Sequence, residues 1–205
     1  MRVMLMHSTP LSVCSFAVRT CWGSHDRSDN GGPKDRALID TVGNKKKHAS
    51  VLEHLVYSFF ISDISRALLQ ELARHRIASL SVRSTRYTLS ELKEGPGIVP
   101  ESTASVGRYC VLTGEPTVDH QIGKALLNLQ NLIRQGVPND KAKFTLPDAY
   151  KTELVWTINA RSLQNFLALR TAPGAMWEIR QLAYEIFNTL PGDHKYLLEG
   201  VVYGE

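Results

Sequence analysis

The sequence is poor in cysteine. Its three cysteines, Cys14, Cys21 and Cys110, include no CxxC pair and have no histidine beside them at metal-ligand spacing. A disulfide framework needs paired cysteines, and a structural zinc site needs clustered cysteine and histidine ligands. We therefore expect reduced thiols and no metal site.

The chain also lacks a long hydrophobic run. Its most apolar stretch, residues 52–64, is interrupted by Glu53, His54, Ser58 and Asp63. A transmembrane helix needs about 18 or more consecutive apolar residues. The amino-terminal segment has too few apolar positions for a signal-peptide core. These absences predict a soluble, cytoplasmic protein without a membrane partner.

Long runs of like charge are absent as well. The formal net charge is +4, and the longest basic run is residues 45–48. A positive net charge favours the approach of anionic partners such as nucleotides, folates or nucleic acid, but it does not identify the reaction that the protein catalyses. Because no block of six like charges occurs, the sequence does not indicate a nucleic-acid-binding tail.

With 205 residues, 43% of them hydrophobic, the chain can build one core, and we expect a single domain over residues 1–205. Alternating apolar residues predict strands over residues 1–7, 53–62 and 152–159. Helical spacing and capping residues predict helices over residues 11–21, 33–43, 64–74, 121–135, 137–147, 160–170 and 175–190. We expect Ser62 or Asp63 to cap the helix over residues 64–74, and Asn159 to cap the helix over residues 160–170. Such interleaving favours an α/β (α+β) fold in which helices flank a mixed β-sheet. Residues 95–119 show weak periodicity, and we expect insertion or disorder there.

A dense cationic segment follows the helix predicted to end at Arg74. Planar guanidinium forks suit phosphate oxygens, and hydroxyl and backbone N–H groups can bind the same anion. The arginines are Arg74, Arg76, Arg83 and Arg86, and the hydroxyls belong to Ser84 and Thr85. The same pattern is also typical of cations that favour the carboxyl end of a helix dipole, and of contacts to a DNA backbone.

Arg170 occupies an unexpected position on its predicted helix. At 100° per residue it projects into the apolar arc of Leu163, Phe166 and Leu167. A long cation can cover apolar surface while its charged end stays in water. Alternatively, a cation directed at a ligand oxygen would stabilise an anionic group as it forms.

Three segments, in this order, carry a family resemblance. His48–His54 forms the first, and Asn159–Arg170 the third. The second consists of Arg74-His75-Arg76, seven further residues, Ser84 and then Arg86-Tyr87. Together they resemble the signature of the flavin-dependent thymidylate synthases. The resemblance extends from about residue 10 to about residue 195.

The resemblance implies specific ligand contacts. The residues implied for FAD are His48, Ser50, Glu53, Arg74, His75, Arg76, Asn159, Arg161 and Asn165. Those implied for dUMP are Glu71, Arg74, Val82, Arg83, Ser84, Thr85, Arg86, Lys143 and Arg170. The catalytic residues are expected to be Arg170, against the uracil ring, and Ser84, in the phosphate-facing segment. Two positions depart from the family pattern, which often has Arg at Lys143 and Asn at Ser81.

The same resemblance implies reductive methylation of dUMP to dTMP. Methylenetetrahydrofolate would donate the carbon, and FAD reduced by NADPH would supply the hydride. It also implies a homotetramer with shared active sites and no nucleic-acid partner. A conventional thymidylate synthase would instead need a cysteine thiolate, and the three cysteines lie outside all three segments.

The alternative function is that of a small basic nucleic-acid-binding protein. It would use the same arginines on phosphates and stack Tyr87 on bases. It leaves the Asn159–Arg170 segment unexplained.

Overall fold

A computed structural model describes residues 1–204 of the chain. The strands are β1 (Arg2–Ser8), β2 (Val56–Ser65), β3 (Ala78–Val82) and β4 (Lys151–Asn159). The helices are α1 (Leu11–Thr20), α2 (Pro33–Ile39), α3 (Arg66–Leu72), α4 (Thr85–Glu94), α5 (Thr103–Gly107), α6 (Pro116–Arg134), α7 (Asn139–Ala142), α8 (Ala160–Arg170) and α9 (Trp177–Thr189). A π-helical turn covers Asp40–Lys45, and 3-10 turns cover His25–Arg27, Ala49–His54, Lys143–Thr145, Lys195–Leu197 and Glu199–Val201. Within residues 1–204, no helix combines the length and the hydropathy that crossing a membrane requires.

The strands form one sheet in the order β1-β2-β4-β3. At the start of β2, the carbonyl of Leu55 accepts a hydrogen bond of 2.8 Å from the N–H of Ala160, just after β4. Beyond the other end of β2, the N–H of Arg66 donates to the carbonyl of Tyr150 at 3.1 Å. The two central strands are therefore antiparallel, as is the whole sheet. The expected α/β class is confirmed, whereas the expected mixed sheet is corrected, because side-chain alternation reports the buried face and not the strand direction.

The described chain divides into two compact units. The first contains Met1–Ile61, Leu72–Leu80 and the chain from Val155 onward, and the second contains Ser62–Glu71 and Ser81–Leu154. Three of the four strands continue from one unit into the other. The single domain expected for residues 1–205 stays a prediction, and residue 205 lies outside the described chain.

Aromatic side chains fill the core of the first unit. Tyr57 and Phe59 on β2 and Trp156 on β4 are fully buried at alternate positions, as the strand period of two requires. The ring of Trp156 meets the edge of Phe166 on α8, with ring centroids 5.0 Å apart. This contact places the apolar face of α8, including Leu163, towards the sheet.

The junction of β2 and α3 differs from the sequence prediction. The strand continues to Ser65, whose hydroxyl accepts a hydrogen bond of 2.9 Å from the N–H of Leu68. Ser65 thus caps the helix, in place of the expected Ser62 or Asp63. The helix ends at Leu72 and not at Arg74.

Two elements, β3 and α4, were not predicted. Only alternate residues of β3 are even partly buried, so its polar sequence has little apolar signal. Helix α4 buries Thr88, Leu89 and Leu92. Its start is marked by Ser84, whose side chain accepts a hydrogen bond from the N–H of Arg86 at 3.3 Å. A serine cap followed by leucines at helical spacing was the available signal.

The expectation of insertion or disorder over residues 95–119 is wrong. This part of the chain contains α5 and the start of α6, and Val106 and Cys110 are buried in the core of the second unit. Gln130 on α6 fixes the preceding loop, since its side chain accepts a hydrogen bond from the N–H of Ile98 at 3.0 Å and donates to the carbonyl of Pro96 at 2.9 Å. These bonds to the backbone order a segment without strong periodicity.

Candidate active site

The cationic segment begins directly after α3. The N–H of His75 donates to the carbonyl of Leu72 at 3.0 Å, which closes the end of the helix. His75 is only 6% exposed, whereas Arg74 and Arg76 on either side of it are exposed. The histidine therefore faces the core, and the flanking arginines face outward.

The buried His75 binds Arg170, the last residue of α8. Arg170 Nε donates a hydrogen bond to His75 Nε2 at 2.8 Å. Because a guanidinium only donates, Nε2 is the acceptor in this hydrogen bond. The histidine ring also packs edge-on against Phe166, with centroids 4.9 Å apart. Arg170 is half-buried and held in a fixed orientation, which favours the interpretation as a directed cation over a loosely snorkelling one.

Two segments implied for FAD meet at the start of α8. Arg161 Nη1 lies 2.7 Å from Glu53 Oε1, and the two side chains are 54% and 45% exposed. An ion pair this open to water is worth at most about 1 kcal/mol, so a ligand anion can replace Glu53. Asn165, four residues after Arg161, is exposed on the same side of the helix.

Asn159 has a clear local role. Its side-chain oxygen accepts a hydrogen bond of 2.9 Å from the N–H of Ser162, so it caps α8 as the sequence predicts. The hydroxyl of Ser162 in turn accepts from the N–H of Ile77 at 3.2 Å. The start of α8 is thereby connected to the chain that follows Arg76. His48 and Ser50, at the other implied segment, are exposed.

In the second unit, the start of α4 presents polar groups to solvent. Ser84 and Arg86 are exposed, and Thr85 is partly exposed. The amino end of a helix carries unsatisfied N–H groups and a positive dipole, which favour an anion. Val82, at the end of β3, is 40% exposed.

Arg83 differs from its neighbours. It pairs with Glu91, and its Nη1 lies 3.6 Å from Glu153 Oε1. A ligand phosphate would have to compete with these two carboxylates for Arg83, although both are about as open to water as Glu53. Glu71, at the end of α3, is partly buried.

A cavity of about 260 Å³ lies beside α4. It is lined by Arg66, Thr85, Lys143, Phe144 and Leu146. Two cations and a hydroxyl around so small a space suit a phosphate group. Arg66 was not predicted as a site residue, because at the first position of α3 it looks like an ordinary solvated cation.

The buried thiols are poor nucleophiles. Burial raises the pKa of Cys14 and of Cys110 to about 12, so both are protonated at neutral pH. Cys21 is exposed, and all three thiols are free. Cys14 and Cys110 thus cannot supply the thiolate on which covalent catalysis would depend.

The structure groups the expected site residues within each unit. In the first unit it brings Arg170 to His75 and Arg161 to Glu53. In the second it brings Thr85 to Lys143 around the small cavity. The site-residue assignments as a whole stay predictions.

The arginine, amide and hydroxyl groups at the helix ends of this α/β fold are of the kinds that bind phosphate-bearing ligands such as nucleotides. A family model described as thymidylate synthase complementing protein matches residues 3–192. The chain belongs to this family, the flavin-dependent thymidylate synthases.

Full-length relatives agree with this assignment. The chain is 57% identical over 197 residues to the flavin-dependent thymidylate synthase of Wolinella succinogenes, with 96% of this chain and 97% of that protein covered. It is 54% identical over 199 residues to the enzyme of the same name from Campylobacter jejuni, with 97% and 96% covered. A crystal structure of thymidylate synthase X from Helicobacter pylori with FAD and dUMP matches with a TM-score of 0.95 and 47% identity, covering 100% of both chains.

Proposed function

We propose that this chain is a flavin-dependent thymidylate synthase, which methylates dUMP to dTMP with FAD as its redox cofactor. The observation that carries the proposal is the family match over residues 3–192, which contains all three motif segments. The fixed orientation of Arg170, held by His75 at 2.8 Å, adds a geometric argument. A half-buried cation held in one orientation is the kind of group that stabilises charge developing on a substrate.

FAD fits the donor groups that the first unit presents. Its pyrophosphate is a double anion, for which Arg74, Arg76 and Arg161 offer planar forks, and the exposed amide of Asn165 suits a ring carbonyl or nitrogen. His48, Ser50, Glu53, His75 and Asn159 complete the proposed flavin set. When bound, the reduced flavin supplies the hydride that completes the methyl group.

The proposed dUMP residues divide by the part of the nucleotide that they bind. Ser84, Thr85, Arg86 and Lys143 hold the phosphate through hydroxyl, N–H and cationic groups. Arg170 donates to the uracil ring and stabilises negative charge on it during the reaction. Glu71, Arg74, Val82 and Arg83 complete the proposed set. Ser84, the second proposed catalytic residue beside Arg170, lies in the phosphate-facing segment, and its side chain also caps α4.

NADPH as the reductant and methylenetetrahydrofolate as the carbon donor complete the proposed reaction. Both are anionic, which agrees with a net charge of +4. We further propose a homotetramer with shared active sites, acting in the cytoplasm as a single-domain chain. These points rest on the family resemblance.

The visible spectrum of the purified protein is the first test. A yellow protein whose flavin is reduced by NADPH, and which forms dTMP only when both dUMP and methylenetetrahydrofolate are present, is the expected result. The Arg170→Ala variant should retain flavin and lose most dTMP formation. A colourless protein that cannot be reconstituted with FAD, yet binds oligonucleotides with a steep salt dependence, would favour the nucleic-acid-binding alternative instead.

A further inference from the structure

The first unit contains a cavity of about 700 Å³ that the proposed dUMP and flavin sets do not account for. Its volume falls within the range of small-molecule sites, about 300–1,000 Å³. Val18 from α1, Leu38 from α2 and Val42 from the π-helical turn give it apolar lining. His48, one of the residues proposed to bind flavin, lies at its edge.

A tryptophan forms one wall of this cavity. Trp22 lies two residues after the end of α1 and is 80% exposed, whereas Trp156 in the core is fully buried. An indole left open to solvent beside apolar lining is a platform on which a planar ring can stack. Bases stack favourably on exposed aromatic side chains, and any base offers a ring face for this contact.

The charges around the cavity are mostly positive. Arg27 and Lys46 both line it, and within residues 1–204 neither makes an ion pair. Asp26 is the carboxylate of the lining that opposes them. Arg19 also lines the cavity, but its charge is balanced by Asp35 at 2.6 Å. A ligand of this cavity should therefore carry negative charge.

Buried polar contacts hold the cavity wall in shape. Asp35, which is fully buried, accepts hydrogen bonds from Ser28 Oγ at 2.7 Å and from the N–H of Gly31 at 3.0 Å. Arg19, bound to the same carboxylate, also donates to the carbonyl of Ser24 at 3.3 Å. Burial alone would raise the pKa of Asp35, but these hydrogen bonds outweigh it and lower that pKa below its usual range. The loop between Ser24 and Gly31 is thus fixed before any ligand arrives, which reduces the entropic cost of binding.

We infer that this cavity binds a planar heteroaromatic ligand that carries phosphate or carboxylate groups, with the ring on Trp22 and the anion at Arg27 and Lys46. The inference rests on the proposed function, in which two co-substrates have this chemistry. One is the reduced nicotinamide dinucleotide, with its adenine and phosphates. The other is the folate, with its aromatic rings and glutamate carboxylates. His48 then connects this cavity to the proposed flavin set.

Tryptophan fluorescence tests this inference directly. NADP⁺ and tetrahydrofolate are titrated separately into the FAD-loaded protein, and one of them should quench emission saturably. Trp22→Phe should abolish the quenching, and Trp177→Phe should leave it unchanged. Arg27→Ala and Lys46→Ala should each raise the dissociation constant about fivefold, less than a buried ion pair would give because both cations are solvated. Lys47→Ala is the matched control, since this exposed neighbour does not line the cavity and should have no effect.

The source of the ligand follows from steady-state kinetics of the same variants. If the dinucleotide occupies the cavity, Arg27→Ala and Lys46→Ala raise the KM for NADPH and leave that for methylenetetrahydrofolate unchanged, and a folate gives the reverse. Wild-type affinity for both probes in these variants would overturn the inference. So would a Trp22 already shielded from acrylamide in the FAD-loaded protein, because flavin or a second copy of the chain would then occupy the cavity. These outcomes differ from failure of the proposed function, in which the wild-type protein itself would form no dTMP.

Discussion

The hydrogen bond between His75 and Arg170 can be removed almost without changing the core. His75→Phe keeps a planar ring against Phe166 but deletes the Nε2 acceptor, which lies 2.8 Å from Arg170 Nε. A hydrogen bond to a charged group contributes about 1.5–3 kcal/mol. Because Arg170 is half-buried, water can replace part of the loss, and we take the lower end. We therefore expect dUMP binding to weaken about tenfold.

Calorimetric titration of dUMP into the FAD-loaded variants measures this effect. His75→Gln is the control, since the carbonyl oxygen of glutamine can occupy the position of Nε2 and should restore most of the affinity. Combined with Arg170→Ala, His75→Phe should have no further effect on dUMP binding, because the residue it positions is gone. Three results would refute the positioning role: wild-type affinity in His75→Phe, no rescue by glutamine, or additive losses in the double variant. Loss of flavin with unchanged dUMP affinity would instead make His75 a flavin contact only.

Three further predictions concern other parts of the chain. Replacing all three cysteines with alanine should leave dTMP formation largely intact, and loss of turnover in a correctly folded triple variant would contradict the expectation that no cysteine acts as the nucleophile. If Arg66 and Lys143 both contact the phosphate of dUMP, Arg66→Ala and Lys143→Ala should each weaken dUMP binding about tenfold. An Arg66→Ala variant that binds dUMP with wild-type affinity in calorimetry would exclude Arg66 from the site. Asp35→Asn should lower the free energy of unfolding by about 3–5 kcal/mol in urea, because it leaves Arg19 buried without its counter-ion, and a change near zero would contradict this. The lowered pKa of Asp35 stabilises the fold above about pH 4, and this contribution should be lost as the pH falls further.

The sequence predicted the fold where periodicity and capping agree. Helix α8 begins after its predicted cap, Asn159, and ends at Arg170 as expected. The hydrophobic pattern did not predict strand β3 or helix α4, because the strand is short and polar and the helix buries only a narrow apolar face. Residues 95–119 were misjudged for another reason. Their order comes from tertiary contacts such as those of Gln130, and local sequence does not report such contacts.

In the candidate site, too, the local sequence does not show which tertiary contacts a side chain makes. The family motif contains arginines, but it does not reveal which of them are already balanced by carboxylates. The structure pairs Arg83 with Glu91 and Glu153, so a ligand would have to compete with these carboxylates for this arginine. The positioning role of His75 could not be predicted from residue spacing, because its acceptor nitrogen binds Arg170 at the end of α8, 95 residues away in sequence.

Lys143 illustrates how a departure from a family pattern can be balanced. Lysine keeps the positive charge of the arginine that the family resemblance leads us to expect there, but it lacks the planar fork that binds two phosphate oxygens at once. In this chain Arg66 lines the same cavity as Lys143, and its guanidinium provides that fork from a different element. Because α3 begins at Arg66, the position of the fork depends on where β2 ends. The position of the junction between β2 and α3 thus determines whether Arg66 can contact a phosphate in this cavity.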